Sequence, residues 1–355
     1  MKTYKKDLWI YLKEQASVGR PVVLYGTGDG ADKIIARLEK RDIPVSGIFA
    51  SPGFVRNRTF HGMQVESFED CLARFGKDMI VLMCFGSSRP EVLSYVDEIS
   101  SKCEFYAPDV PVYGDNLFDI GFYERNLEAM TRVHGLLADE LSRQTYEDII
   151  TARITGDIRH LRHCEVSQEE ADSCLPPSRK AFFIDLGAYN GDTVLRYSSL
   201  FPDISGIIAV EPDRRNMRKL KENTEAIASN IPIEYVQAFV SDEEGEAEVI
   251  KNIGRGTSLT KEGGTIVPTV TIDGLLNGRE ADFIKFDVEG AELAAIRGGA
   301  ETIRRFKPAM NIACYHRSED IFELPLRVLE LNPGYKVYIR HTPSIPAWDT
   351  CFYFV

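Results

Sequence analysis

The stretch that most constrains this chain is a short apolar run ending in a carboxylate and breaking into glycines: Ala181-Phe182-Phe183-Ile184, then Asp185-Leu186-Gly187-Ala188-Tyr189-Asn190-Gly191-Asp192-Thr193. Four apolar residues without alternation read as a strand buried on both faces, which belongs in a parallel sheet covered by helices. The glycines permit a close turn, and that turn presents free backbone N–H groups where the next helix opens. Further apolar strands are expected at Ile207 to Val210, Ile233 to Val240, Phe283 to Phe286 and Ala309 to Cys314, separated by segments of helical period. The chain closes with Tyr335 to Ile339 and Cys351 to Val355 around a Pro-rich loop with no room for a crossover helix, so the sheet should end in an antiparallel hairpin.

The first third of the chain repeats the same grammar. Val22-Val23-Leu24-Tyr25 runs into Gly26-Thr27-Gly28-Asp29-Gly30-Ala31, after which Ile34, Ile35 and Leu38 recur at helical spacing. Val45 to Phe49 and Met79 to Cys84 are further strands; Ser67 and Asp70 form a capping box, and Ser88 ahead of Pro90 opens another helix. From Tyr113 to Ser173 strand signals stop, while Leu127, Met130, Val133, Leu136, Leu137 and Leu141 recur three or four apart or adjacent, as in a helical connector. Pro176-Pro177-Ser178 then marks a boundary. At 355 residues the chain exceeds what one core usually serves. The expectation is an α/β chain with two Rossmann-like domains, 1–110 and 179–355, joined by a helical connector at 111–178.

A formal net charge of -12 disfavours a nucleic-acid partner, because a phosphate-tracking surface needs the opposite field. Lys13 and Glu14 interrupt the N-terminal apolar run that a secretion signal needs, and no run is long enough to span a bilayer, so the reading is cytoplasmic. Seven cysteines without a CxxC pair indicate reduced thiols rather than a disulfide framework or a zinc ribbon. His160, His163, Cys164 and Cys174 could offer soft ligands, but their spacing fits no metal motif and they read as a polar linker helix.

Ligands of open α/β sheets sit at the carboxyl ends of the strands. There the second half offers Asp185, the Gly187 to Gly191 loop and, after the next strand, Glu211-Pro212, where a carboxylate can accept both hydroxyls of a ribose. Glu211 lies 211 − 187 = 24 positions after Gly187, which by itself suits a dinucleotide site equally. The loop is less ambiguous: Leu186, Tyr189 and Asn190 are bulky where a pyrophosphate would require glycine, whereas S-adenosylmethionine has no pyrophosphate to admit.

Together with Glu211-Pro212, Asn223, Asp273, Ile284-Lys285-Phe286-Asp287-Val288-Glu289-Gly290-Ala291-Glu292, Gly299-Ala300, Lys307-Pro308 and Tyr315-His316, this loop resembles the FkbM family of methyltransferases over about Lys180 to Val355. The resemblance implies a class I methyltransferase sheet, mostly parallel with a terminal antiparallel hairpin. It also implies S-adenosylmethionine as cofactor and transfer of its methyl to oxygen, often a hydroxyl of a sugar or natural product. Carried over by position, Asp185, Gly187, Ala188, Gly191 and Thr193 would line the methionine end, and Glu211 would hold the ribose. Asp242 is a candidate for the adenine edge or a plain turn residue before Gly245.

Asp287 ends the fourth strand nearest the transferable methyl, and Lys285 points to the same face because strand side chains repeat every second residue. These two are an acceptor-side pair or a structural ion pair. Glu289 and Glu292 follow at a helix start, where one could simply cap. His316, after the fifth strand, could take the acceptor's proton. No residue is assigned solely to a metal; a divalent cation held by Asp287, one of the two glutamates and His316 is a further reading.

The Gly26 loop resembles a dinucleotide fingerprint, but its second strand ends Ile48-Phe49-Ala50-Ser51, without an acid for an NAD ribose. This segment, with Phe60-His61-Gly62-Met63-Gln64-Val65, resembles the Rossmann-like N-terminal domain of certain sugar-nucleotide acyltransferases. A sugar or nucleotide recognition module, an interaction domain and an NAD site all remain open for it. The overall expectation is an O-methyltransferase acting on a small-molecule or glycan acceptor. Its alternatives are a nicotinamide-dependent oxidoreductase and a non-catalytic cofactor-binding protein; monomer and homo-oligomer are both open.

Overall fold

The computed structural model describes residues 2–176, 181–201, 203–251, 257–259 and 265–355. Pro177 and Ser178 of the expected boundary, and Arg179 and Lys180 at the start of the expected second domain, lie outside the described residues.

The first third forms a sheet from β1 (Val22–Tyr25), β2 (Gly47–Phe49), β3 (Thr59–Phe60), β4 (Met63–Glu66), β5 (Ile80–Met83) and β6 (Glu104–Tyr106), in the order β3-β4-β2-β1-β5-β6. All pairs are parallel except the short β3–β4 hairpin at the edge. β1 and β5 are buried along their whole length, as their unbroken apolar runs require. Ser67 caps its helix as expected, Oγ accepting from the Asp70 N–H at 3.1 Å. The next helix differs: Arg89, not Ser88, is the N-cap, and the proline at the first helical position sets the turn without a side-chain cap.

The second half contains β7 (Ala181–Leu186), β8 (Ile204–Val210), β9 (Ile233–Val236), β10 (Phe239–Val240), β11 (Gly245–Lys251), β12 (Thr257–Leu259), β13 (Thr265–Val270), β14 (Phe283–Phe286), β15 (Ala309–Ala313), β16 (Val337–His341) and β17 (Thr350–Phe354). Its main sheet has the order β16-β17-β15-β14-β7-β8-β9. β17 alone runs against its neighbours, pairing antiparallel with both β15 and β16, which is the terminal hairpin expected from the short connection. The expected strand from Ile233 to Val240 is two strands. β9 stays at the sheet edge, while Phe239 and Val240 turn inward and pair with β13 in a small separate sheet, β10-β13-β11-β12. That sheet was not anticipated, because Glu246 and Glu248 alternate with apolar residues in a stretch whose charge reads as a turn.

Helices fill the connector: Ile120–Arg125, Leu127–Leu136, Glu140–Thr155, Ile158–Cys164 and Gln168–Asp172. Glu140–Thr155 is buried over most of its surface, and Tyr146, Ile149 and Ile150 belong to one apolar cluster that also contains Tyr25 and Met83 of the first sheet and Ile184 and Phe286 of the second. The two sheets therefore share a core through this helix. His160 and His163 both turn their Nδ1 atoms to the buried Asp148, at 3.1 and 2.6 Å, while the Cys164 thiol faces the Leu161 carbonyl. The pair is thus satisfied by a carboxylate within the connector. No helix among the described residues is long and apolar enough to cross a membrane.

Arg340 of β16 fastens the connector to the second sheet, donating to Ser142 Oγ at 2.7 Å and to Asp139 Oδ2 at 2.6 Å. Arg340→Ala would remove a donor from a buried hydroxyl and from a half-exposed carboxylate, each of which keeps one backbone N–H. A loss of about 1–3 kcal/mol is expected in urea unfolding, the upper figure for a fully buried pair being discounted for the exposure of Asp139.

Candidate active site

The cofactor-side loops fold around backbone contacts that the sequence makes possible. Gly187 has φ +81°, and a Cβ there would lie 1.9 Å from the Asp287 carbonyl oxygen, so only glycine lets the loop after β7 close on the loop after β14. The Gly187 and Ala188 N–H groups donate to the Val210 carbonyl, binding this loop to the end of β8. Gly191, at φ +87°, packs against Leu220 and Thr224 and starts the helix Asp192–Leu200 without a side-chain cap.

Glu211 ends β8 nearly buried. Its Oε2 accepts from the Tyr189 N–H at 3.0 Å and its Oε1 from the Asp213 N–H at 2.8 Å, so the acid is locked facing the glycine loop. Burial pushes its carboxyl up to about 7, outweighing those donors. Asp185 is fully buried and neither of its oxygens has a hydrogen-bond partner. Burial raises it to about 6 against the pull of Lys285, whose Nζ lies 3.6 Å away. A buried carboxylate with unfilled acceptor capacity is what a cofactor bearing an ammonium group would complete. Thr193 is the second residue of that helix, its N–H on Asp192 Oδ1 at 2.8 Å. Asp242 is exposed and 4.0 Å from Arg297, at the rim rather than with the other acids.

On the other side, Lys285 and Asp287 share a face of β14 and its extension. Lys285 Nζ lies 3.4 Å from Asp287 Oδ2 and within 3.4 Å of the Gly187 carbonyl, bridging the ends of β7 and β14. Asp287 is held below the usual carboxylate range: burial opposes this, but Lys285, His316 and the Tyr315 hydroxyl, which donates at 3.2 Å, prevail.

The turn that follows is strained. Glu289 has φ +55° and Gly290 +96°, and this path aims the Val288 and Gly290 N–H groups at the two oxygens of the buried Glu292, at 2.9 and 3.0 Å. Glu292 Oε1 also meets His316 Nδ1 at 2.9 Å. Its acceptors are occupied, so Glu292 orients the imidazole. His316 Nε2 then faces Asp287 at 3.5 Å and Glu289 at 3.6 Å. Burial works against charge on this imidazole, but three carboxylates outweigh it and raise it to about 10. Burial raises the Glu289 carboxyl.

All five acceptor-side candidates (Lys285, Asp287, Glu289, Glu292 and His316) thus converge at the carboxyl ends of β14 and β15, beside the glycine loop. Sequence reasoning gave three neighbours no role in the site. Tyr315 precedes His316, with rings 4.2 Å apart. Tyr113, from the connector, donates its N–H to the His316 carbonyl and packs on Gly290. Trp348 lies near Tyr315. The Tyr315-His316 pair was visible as a motif; Tyr113 and Trp348 come from loops with no periodic signal.

Residues 185–337 match the methyltransferase FkbM domain. A solved FkbM methyltransferase from Methylobacillus flagellatus KT is 20% identical, with 97% of this chain and 93% of that chain covered at a TM-score of 0.73, so the likeness in fold runs through both halves. The second half of this fold is the mostly parallel sheet described above, closed by its antiparallel hairpin. Precorrin-6y C5,15-methyltransferase from Geobacter metallireducens GS-15 is 14% identical over 52% of this chain and 84% of its own, at a TM-score of 0.34. Aeropyrum pernix fibrillarin, solved with S-adenosyl-L-methionine, is 17% identical over 51% and 69%, at 0.33. No curated protein matches the chain.

If Glu211 accepts the ribose hydroxyls of S-adenosylmethionine, binding favours its ionised form and must release a proton when the free carboxyl sits at about 7. Affinity should rise as pH rises through 7, about tenfold between pH 6 and 8. Calorimetry in buffers of different ionisation enthalpy checks this, and Glu211→Gln should flatten the profile.

Proposed function

We propose that this chain, which carries a methyltransferase FkbM domain over residues 185–337 and is a methyltransferase, uses S-adenosylmethionine to methylate a hydroxyl oxygen of a saccharide, glycoconjugate or natural product. The observation that carries this reading is the convergence of Asp287, Glu289 and His316 beside the Gly187 to Gly191 loop, with Asp185 and Glu211 on its far side. A binding-only protein has no need of that second group. A nicotinamide enzyme is disfavoured because β2 is followed by Ala50 and Ser51, and the Ser51 hydroxyl pairs with Tyr25.

When bound, the cofactor supplies an electrophilic methyl on a sulfonium, and the protein's task is to align a weak oxygen nucleophile and take its proton. Asp185 and Glu211 hold the cofactor's amino and ribose ends. Lys285 fixes Asp287, whose charged carboxylate orients the acceptor hydroxyl. The raised His316 stays protonated near neutral pH, so in place of the base first expected there, it balances the acids around it. Glu289, with a carboxyl raised by burial, receives the proton. Alignment of this kind can supply roughly 7–11 kcal/mol of a barrier. The N-terminal sheet helps select the acceptor, and the protein works in the cytoplasm.

A second reading rests on one observation: ligand atoms of Asp287, Glu292 and His316 lie within 4.8 Å of one another. A divalent cation could replace the proton on His316, with Glu289 the better partner than Glu292, whose oxygens are already occupied. Dialysis against EDTA separates the readings: activity retained fits the proton account, and activity lost and restored by Mg²⁺ or Mn²⁺ selects the metal. Asp287→Asn should retain S-adenosylmethionine binding while turnover on a glycan extract falls about 10²–10⁴-fold; full turnover in that variant would remove the acceptor site from this place.

A further inference from the structure

Trp348 is one of only two tryptophans in the chain and lies in the loop between β16 and β17. Because β17 pairs antiparallel with β15, with Ala313 opposite Cys351, the residues entering β17 arrive at the carboxyl end of β15, where Tyr315 and His316 emerge. This is the side of the sheet away from Glu211 and β8, and therefore the acceptor side. The indole is half-buried. Its ring lies 23° from parallel with Tyr315, at a centroid distance of 6.4 Å. Tyr315 in turn donates its hydroxyl to Asp287. Trp348 thus stands one ring away from the carboxylate that addresses the acceptor.

The back of that indole is fixed by the other half of the molecule. A Cβ on Gly86, in the loop after β5, would fall 2.3 Å from Trp348 Cε3, so the ring lies directly against the Gly86 backbone. Neighbouring Ser87 and Ile345 exchange two backbone hydrogen bonds, at 2.9 and 3.1 Å, which hold the two loops together. An aromatic side chain set against backbone and one ring away from Asp287 offers apolar surface near a hydrogen-bond acceptor. A pyranose ring offers the complement, with C–H groups on one face and hydroxyls at its edge.

We propose that Trp348, backed by Gly86, is the floor on which the ring of a saccharide acceptor stacks, with one of its hydroxyls directed to Asp287 and Glu289. The inference rests on the methyl-transfer reading above and narrows its acceptor to one with a pyranose ring next to the methylated hydroxyl. It also gives the N-terminal sheet a role, since Gly86 sets the depth of the floor without touching the cofactor loops. Trp348 binds; it takes no part in the chemistry.

The test uses the full chain, labelled S-adenosylmethionine and a library of methyl pyranosides, oligosaccharides and planar phenols. With the best saccharide acceptor, Trp348→Ala should raise KM at least tenfold and leave kcat and cofactor affinity within about threefold. Trp348→Phe should fall between, and Gly86→Ala, which displaces the ring, should also raise KM. In Trp9→Phe, where Trp348 is the sole emitter, that acceptor should shift the fluorescence in the presence of S-adenosylhomocysteine; this readout survives even if Trp348→Ala fails to fold. Saccharide turnover with an unchanged KM in Trp348→Ala, or with no fluorescence response in Trp9→Phe, overturns the stacking floor alone. Transfer only to phenols overturns the pyranose assignment, and cofactor binding with no transfer to any library member overturns the saccharide reading beneath it. Absence of cofactor binding overturns both readings.

Discussion

Lys285 stands between two carboxylates, Asp185 at 3.6 Å and Asp287 at 3.4 Å, and the rest of the site is arranged around it. Three charged groups at the ends of adjacent buried strands would each be costly alone. Together they bridge the ends of β7 and β14 where Gly187 meets the Asp287 backbone, which brings the Gly187 to Gly191 loop and the Asp287 to Glu292 segment side by side. Asp185 remains short of hydrogen bonds even so. Asp185 thus keeps acceptor capacity that a cationic ligand group would fill.

The charge distribution also divides the acids by role. Glu211 and Glu292 are both buried acids, one just after β8 and one at the first position of a helix, and sequence position alone gives them similar standing. Each accepts two backbone N–H groups, Glu211 one of them from the glycine loop, while Glu292 also meets His316. The left-handed backbone at Glu289 is what frees the Glu289 carboxylate to stand by His316 Nε2. In this account the turn's strain serves to place one acid outward and the other inward.

Much of this was legible in the sequence. Apolar runs without alternation located the parallel strands, and the short connection before β17 required the hairpin. Asp185, Glu211, Asp287 and His316 could be found because each follows a recognisable strand. What escaped has a common cause. The small sheet of β10 to β13 alternates charge with apolar residues and lies at the periphery, so its periodicity competes with its turn-like composition. Tyr113, Gly86 and Trp348 act through contacts between residues up to hundreds of positions apart, and nothing local in a loop signals its distant partner. Asp242, open in sequence between an adenine-edge contact and a turn residue, lies exposed after β10.

The central claim is that the ends of β7, β8 and β14 form one cofactor cleft with the acceptor acids on its far side. A crystal structure of the full chain with S-adenosylhomocysteine tests it most directly. The account predicts the ribose hydroxyls on Glu211, the amino group over the Asp185–Lys285 pair and the sulfur directed toward Asp287 and Glu289. A ligand bound at the Gly26 loop, or one in the β7 cleft with its sulfur facing away from Asp287, would contradict it.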